Sequence, residues 1–359
     1  LVKTPGGIVM AGSCSDVKPL TYRDITLSFW DYGTQRLITS NSLENLSQKE
    51  FECVWDVIPS RTDNSVLIQI AHYSTNTDLY RLPSSHPLPV YSRLVVWNPN
   101  NNTFTDFPKT SEAVMKLASR QYFKPNIIAF NGKVGEIFVL DEETLYKVPL
   151  NNLNNPAVII SVELAPQLNF NPSQIFFNPS FTKVATFIVN NDDSGNSLIL
   201  SIRNLEALDI EQQKTIISPA DNQQTIGAHF INWIEIDKKS LIDFLWYNAS
   251  DSWNASGMEE PPSYKFLRFD MASDNLTKLD EPFIFGDIVG LGNWCCGDYG
   301  RYTALDRGLV RSPNSQFGAY RAPHHGNPTV VYLVNLIERS ILQTVDVGNK
   351  DLETLISVY

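Results

Sequence analysis

Apolar and β-branched residues run through this chain in short bursts broken by polar turns. Ile25 to Thr39 (ITLSFWDYGTQRLIT) sets the pattern with an apolar strand, a polar turn carrying Gly33 and a second short strand. The same shape returns at Arg93 to Phe107 (RLVVWNPNNNTFTDF), Glu136 to Val148, Ser197 to Ile217, Lys265 to Leu279 and Val330 to Val347. With Trp30, Trp97, Leu140, Ile202, Phe269 and Val334 taken as equivalent, the unit recurs about every 60 residues. Six such units fill the chain.

A second element precedes several of these hairpins. Phe177-Asn178-Pro179-Ser180 runs into Lys183 to Val189, and Arg311-Ser312-Pro313-Asn314 runs into Gln316 to Arg321. Pro and Asn set a tight surface turn, and the apolar run that follows is a strand buried between neighbouring sheets. Together the two elements resemble the generic blade grammar of β-propellers, in which a Ser-Pro-Asp-Gly-like turn leads into an inner strand and a later hairpin forms the outer pair. The resemblance names an architecture and no particular family.

The expectation is an all-β chain: one β-propeller over residues 1–359 with about six four-stranded blades, near 1–45, 46–108, 109–150, 151–218, 219–283 and 284–359. Leu352 to Tyr359 is the expected closing strand, pairing with the N-terminal blade to remove an exposed edge. A β-sandwich or two stacked all-β domains are the alternatives. Asn151 to Pro156 (NNLNNP), the nearest thing to a linker, reads as an inter-blade loop. Asn131-Gly132 predicts a two-residue hairpin turn, because both positions of such a turn need positive φ. Helix is expected only at Ser111 to Ser119 and Leu205 to Gln213.

Composition adds a core and removes some partners. Apolar residues make up 43% and charged residues only 19%, enough to bury a sizeable interior. A net charge of −11 without a Lys/Arg cluster excludes a phosphate-binding surface, so nucleic acid is not an expected partner. The sequence has no apolar run long enough to predict a membrane-spanning helix. Asn-x-Ser/Thr triplets at Asn45, Asn101, Asn248, Asn254 and Asn275 are candidate N-glycosylation sites. With four cysteines, few lysines and a chain that starts at Leu1, they predict an extracellular or cell-surface, mature, secreted protein.

The cysteines are Cys14, Cys53, Cys295 and Cys296. A bond between the adjacent pair is strained, since consecutive α-carbons lie about 3.8 Å apart, below the usual disulfide span. If it forms, Cys14 and Cys53 staple the first blade to the second; otherwise one of the adjacent pair joins Cys14 and ties the last blade to the N-terminus. Cys295-Cys296-Gly297-Asp298 followed by Asp306-Arg307-Gly308 is similar to the cofactor-contacting string of methanol-dehydrogenase-like quinoproteins, whose other repeats are absent here.

The stretch Gly286 to Tyr302 (GDIVGLGNWCCGDYGRY) concentrates the unusual chemistry of the chain. Trp294, Asp298, Tyr299 and Arg301, with His324 from the His324-His325 pair, are the candidate binding residues, because aromatic faces and close-approach glycines suit sugars or flat groups. Neighbouring histidines in an extended segment point opposite ways, so no metal site is expected there. Asn190 to Asn196 is rich in oxygen and makes calcium conceivable, but it lacks the spacing of a calcium loop and reads as a hairpin tip. No cofactor is expected.

No hydrolase elbow, phosphate loop or zinc-protease motif occurs, so no catalytic residue is assigned. The expected function is a secreted or surface-exposed propeller that binds a protein or glycan partner. The alternative is an enzyme with its site in the central channel, of lactonase-like hydrolase, glycosidase or quinoprotein type. Oligomeric state is left open by the sequence.

Overall fold

The computed structural model describes residues 6–11, 26–31, 36–42, 52–73, 89–110, 126–140, 144–153, 157–161, 175–192, 195–207, 209–217, 225–236, 239–249, 264–279, 309–312, 316–321, 330–346 and 352–358. Among them the chain is all-β, and a single 3-10 turn at Leu150–Asn152 is the only helix. The strands assemble as a β-propeller.

Strand order gives six four-stranded antiparallel sheets. The first holds β1 (Gly6–Ala11), β2 (Thr26–Asp31) and β3 (Arg36–Ser42), with β24 (Leu352–Val358) on the free side of β1. The second is β4 (Glu52–Pro59), β5 (Val66–Tyr73), β6 (Pro89–Asn98) and β7 (Thr103–Thr110). The third is β8 (Asn126–Asn131), β9 (Glu136–Leu140), β10 (Thr144–Pro149) and β11 (Ala157–Ser161). The fourth is β12 (Ile175–Phe177), β13 (Lys183–Asp192), β14 (Gly195–Asn204) and β15 (Ile210–Ile217). The fifth is β16 (Thr225–Ile236), β17 (Lys239–Ala249), β18 (Tyr264–Asp270) and β19 (Asn275–Leu279). The sixth is β20 (Leu309–Arg311), β21 (Phe317–Arg321), β22 (Val330–Asn335) and β23 (Ser340–Asp346).

The leading strands of neighbouring sheets meet one another: β24 touches β4 and β20, β4 touches β8, and β12 touches β16. These strands therefore lie nearest the common axis. A parallel bridge between Ser60 and Phe130 shows that β4 and β8 run the same way.

Packing explains why the strands read as continuous apolar runs rather than as alternating ones. A strand covered on both faces buries odd and even positions alike. Phe176 and Phe177, adjacent on β12, enter two different clusters. Ile58, Leu67 and Leu94 of the second sheet pack on Ile127, Ile137, Val139 and Val148 of the third. Phe138, Leu140 and Leu145 of the third meet Ile175, Phe177 and Val184 of the fourth, with the Phe138 and Phe177 rings 4.5 Å apart. Phe187 and Ile202 of the fourth meet Phe230, Trp233, Phe244 and Phe269 of the fifth.

Outer hairpins share one local device that the sequence pattern did not single out. Asn98, Asn204, Asp270 and Asn335 each end the third strand of a sheet and accept backbone N–H bonds from the following turn through Oδ1. In three of them the residue four places later, Asn102, Asp274 or Arg339, has positive φ of 52–55°.

Four sequence expectations need correction. The boundary placed at residues 150 and 151 falls inside the third sheet. The 3-10 turn at Leu150–Asn152 reverses the chain so that β11 pairs with β10, and Leu150 and Leu153 are buried against the second sheet. Leu140 accordingly sits on a second strand, not on the third strand that carries Trp97, Ile202, Phe269 and Val334. The described residues of 205–213 are not helical: Asn204 caps a turn, buried Leu205 donates its backbone N–H to the Thr182 carbonyl, and Ile210–Ile217 pairs with β14. Asn131-Gly132 does not form a two-residue turn; β8 and β9 are joined by Gly132 to Gly135, and the positive φ of 68° belongs to Gly135. Residues 111–119 lie outside the described set.

Gln69 on β5 is wholly buried, and among the described residues neither its amide nitrogen nor its oxygen has a hydrogen-bond partner. It faces the same way as Leu67 and lies opposite Leu94. Orphaned buried polar atoms cost about 1–3 kcal/mol, so Gln69→Leu is expected to raise stability by about 1 kcal/mol or more. Urea unfolding checks this as a higher midpoint at unchanged slope; a lower midpoint means the amide is partnered.

Candidate functional site: two unlike faces

The turns joining first to second strands form a polar rim at one end of the sheets. Ser60, buried, caps its own turn by accepting from the Thr62 and Asp63 amides, and its Oγ also accepts the Gly132 amide of the third sheet at 3.0 Å. Thr62 Oγ1 donates to Asn131 Oδ1 at 2.8 Å and accepts the Lys133 amide at 3.1 Å. Contact is so close that a Cβ at Gly132 would lie 2.1 Å from Ser65 Oγ and 2.3 Å from Asp63 Oδ1, which restricts the position to glycine.

Arg61 reaches across the third sheet to the fourth. Its guanidinium lies 4.5 Å from the Phe176 ring centre, and Nη1 donates to the Phe177 carbonyl at 3.5 Å. Asn178, fully buried, accepts the Thr182 and Lys183 amides on Oδ1 and donates from Nδ2 to Glu235 Oε1 at 2.7 Å. Ser180 Oγ donates to the second oxygen of Glu235 at 3.2 Å. At the outer edge, Gln212 and Lys214 of the fourth sheet bond Asp274 of the fifth.

Charge on this end is largely spent on structure. The bond from Lys183 holds Glu211 below its ordinary carboxylate value, and the bond from Lys214 does the same for Asp274. Both carboxylate oxygens of Glu235 are already taken by neighbouring turns. Among the described residues no group of three His, Cys, Asp or Glu is placed to hold a metal ion. The bonds of the rim tie the second, third, fourth and fifth sheets together.

The other end is built differently. Strand directions send every first-to-second and third-to-fourth turn to the rim, and these turns are short: 60–65, 132–135, 237–238, 99–102, 271–274 and 336–339 among them. Second-to-third connections and those between sheets leave from the opposite end. They include 12–25, 43–51, 74–88, 111–125, 250–263, 280–308 and 322–329, several of them much longer, while 141–143 and 193–194 at the same end are short.

Trp294, Asp298, Tyr299, Arg301, His324, Cys14, Cys295, Cys296, Asn45 and Asn254 lie outside the described residues. The described strand ends that bracket them all belong to the end with long connections. Cys53 and Asn248 are placed by backbone alone, on β4 opposite Ala71 and on β17 opposite Ile226. Asn101 and Asn275 are exposed at hairpins of the rim end. Asn190–Asp192 and Gly195–Asn196 extend a regular ladder, so the oxygen-rich string is a hairpin end joined through residues 193 and 194.

Sequence reasoning missed Arg61, Glu235 and the ion pair of buried Asp243 with half-buried Arg268. The last carried a signal: single charges interrupt two consecutive apolar strands, LIDFLW and KFLRFD. Arg61 and Glu235 had none, since their roles arise from contacts between sheets.

No protein-family model and no curated protein matches the chain. Among solved structures it is similar to hydrazine synthase of Kuenenia stuttgartiensis at a TM-score of 0.40 and 8% identity, over 87% of this chain and 70% of that one. The β-propeller domain of the Trilobed protease from Pyrococcus furiosus gives a TM-score of 0.36 at 9% identity, covering 82% and 71%. Porphyromonas gingivalis dipeptidyl peptidase 4 gives 0.40 at 12% identity, with 92% of this chain matched to 44% of the peptidase. The chain thus spans less than half of that peptidase. Among the described residues no helix is long and apolar enough to cross a membrane.

Proposed function

We propose that the six sheets are the blades of one ring, and that the ring is a secreted or surface-exposed platform binding a protein or glycan partner. The partner engages the end from which the long connections leave. The observation that carries this reading is the asymmetry of connection length: short, mutually bonded turns at one end and, at the other, connections that are mostly longer, such as 74–88 and 280–308, with 141–143 and 193–194 the short exceptions. Loops set on a rigid β scaffold are free to vary in sequence without loss of the fold, which is how such scaffolds acquire recognition. The aromatic and glycine-rich 286–302 stretch falls in one of these connections and suits a flat or sugar-like ligand.

The test uses an array of defined oligosaccharides and a panel of purified extracellular domains. Replacing residues 322–329 or 74–88 by a two-residue Asn-Gly turn is expected to weaken the strongest binding at least about tenfold. Unfolding midpoints should stay near that of the parent, and Lys133→Glu at the rim should leave affinity unchanged. Full-strength binding by both shortened variants overturns the reading. So does turnover of lactone or glycoside substrates by the parent chain, which would assign the channel an enzymatic role.

A further inference from the structure

We infer that Asn101 and Asn275 are N-glycan attachment sites, and that the sugars stand on the rim end of the ring, opposite the long connections. This rests on the extracellular part of the reading above. Asn101 and Asn275 are the two acceptor triplets whose side chains the structure describes, and both are exposed. They occupy corresponding hairpins, Asn101 between β6 and β7 and Asn275 at the start of β19.

The local geometry leaves the acceptor nitrogens available. Asn101 Oδ1 accepts the Thr103 amide at 3.2 Å and the Thr103 hydroxyl at 2.7 Å, so the fold uses the oxygen of this amide. Asn275 Nδ2 makes a long contact of 3.3 Å to the hydroxyl of Thr277, the third residue of its own triplet. A bulky substituent on either nitrogen projects from an outer hairpin and displaces no buried group. The neighbouring turn residues that fix these hairpins, Asn98 and Asp270, bond through their own Oδ1 atoms and are untouched.

The co-reactant is a lipid-linked pyrophosphoryl oligosaccharide. The amide nitrogen attacks the anomeric carbon, a C–N bond forms, and the sugar–oxygen bond to pyrophosphate breaks. The lipid pyrophosphate leaves, and one amide proton passes to a base. Sugars at these two positions stand over the rim.

The full chain, secreted from a glycosylating eukaryotic host behind a secretory leader, is digested with peptide N-glycosidase in heavy-oxygen water and mapped by mass spectrometry. Labelled aspartate is expected at positions 101 and 275. Thr103→Val and Thr277→Val should each remove one step of the glycosidase-sensitive mobility shift, with Asn101→Gln and Asn275→Gln as second variants that do the same. Secreted protein with both positions unlabelled overturns the inference while leaving the binding reading intact. Glycosylated protein that binds nothing on the array or panel leaves the inference standing and removes the binding reading.

Discussion

Arg268→Met is expected to destabilise the protein by about 3 kcal/mol, the lower end for stripping a partner from a buried charge, since the Arg268 side chain is itself 22% exposed. Asp243 is only 4% exposed, and its two oxygens receive Arg268 Nε at 2.6 Å and Nη2 at 2.7 Å. The hydrogen bonds that Arg268 donates to Asp243 hold its pKa above the ordinary value despite the opposing effect of burial. Without the guanidinium, the carboxylate has neither solvent nor a counter-charge. The double change Arg268→Met with Asp243→Leu is expected to recover most of the loss, because a hydrophobic pair of similar volume removes the stranded charge. Urea unfolding of both single variants and the double variant completes the cycle. A loss below about 1 kcal/mol for Arg268→Met would mean that the pair is solvated.

Phe187→Ala is expected to cost a comparable 3–5 kcal/mol, roughly the toll of deleting a buried aromatic ring. Phe187 is fully buried between the fourth and fifth sheets, 4.2 Å from the Phe230 ring in a stacked arrangement and 5.2 Å from Phe244 edge-on. Alanine leaves a cavity that β-sheet backbones on both sides are too stiff to close. Phe187→Leu keeps most of the volume and should cost about 1–2 kcal/mol. Unfolding midpoints of the two variants check the ordering. Equal losses would show that ring stacking and cavity volume are not what hold these sheets together.

The architecture was legible because its signal is local and repeated. Apolar bursts at regular spacing mark hairpins, but the Asn178-Pro179 and Ser312-Pro313 strings, expected to lead into inner strands, instead follow them: β12 and β20 precede these strings, and β13 and β21 after them are second strands. Even the return of Leu352–Val358 to β1 followed from the need to cover an edge. What misled were segments whose local preference competes with tertiary contacts. Leu205 to Gln213 has helical composition, yet Leu205 is drawn into the core and the Asn204 cap diverts the turn. The Asn-rich 151–156 string resembles a linker, yet Leu153 within it is buried. Asn131-Gly132 resembles a tight turn, yet glycine there serves a close approach between sheets. Contacts such as Arg61 with Phe176, or Glu235 with Asn178, join residues more than fifty positions apart, and no periodicity in a single chain announces them.

Because β1 finds its edge partner in β24, the first sheet is the one unit that a ribosome cannot finish in order. The strands from β1 to β23 can pair within their own sheets as they emerge, whereas the second edge of Gly6–Ala11 waits until Leu352–Val358 has been synthesised. Joining the two strands through a short linker and opening the chain elsewhere would let that sheet form in sequence, turning the last folding event into an ordinary hairpin.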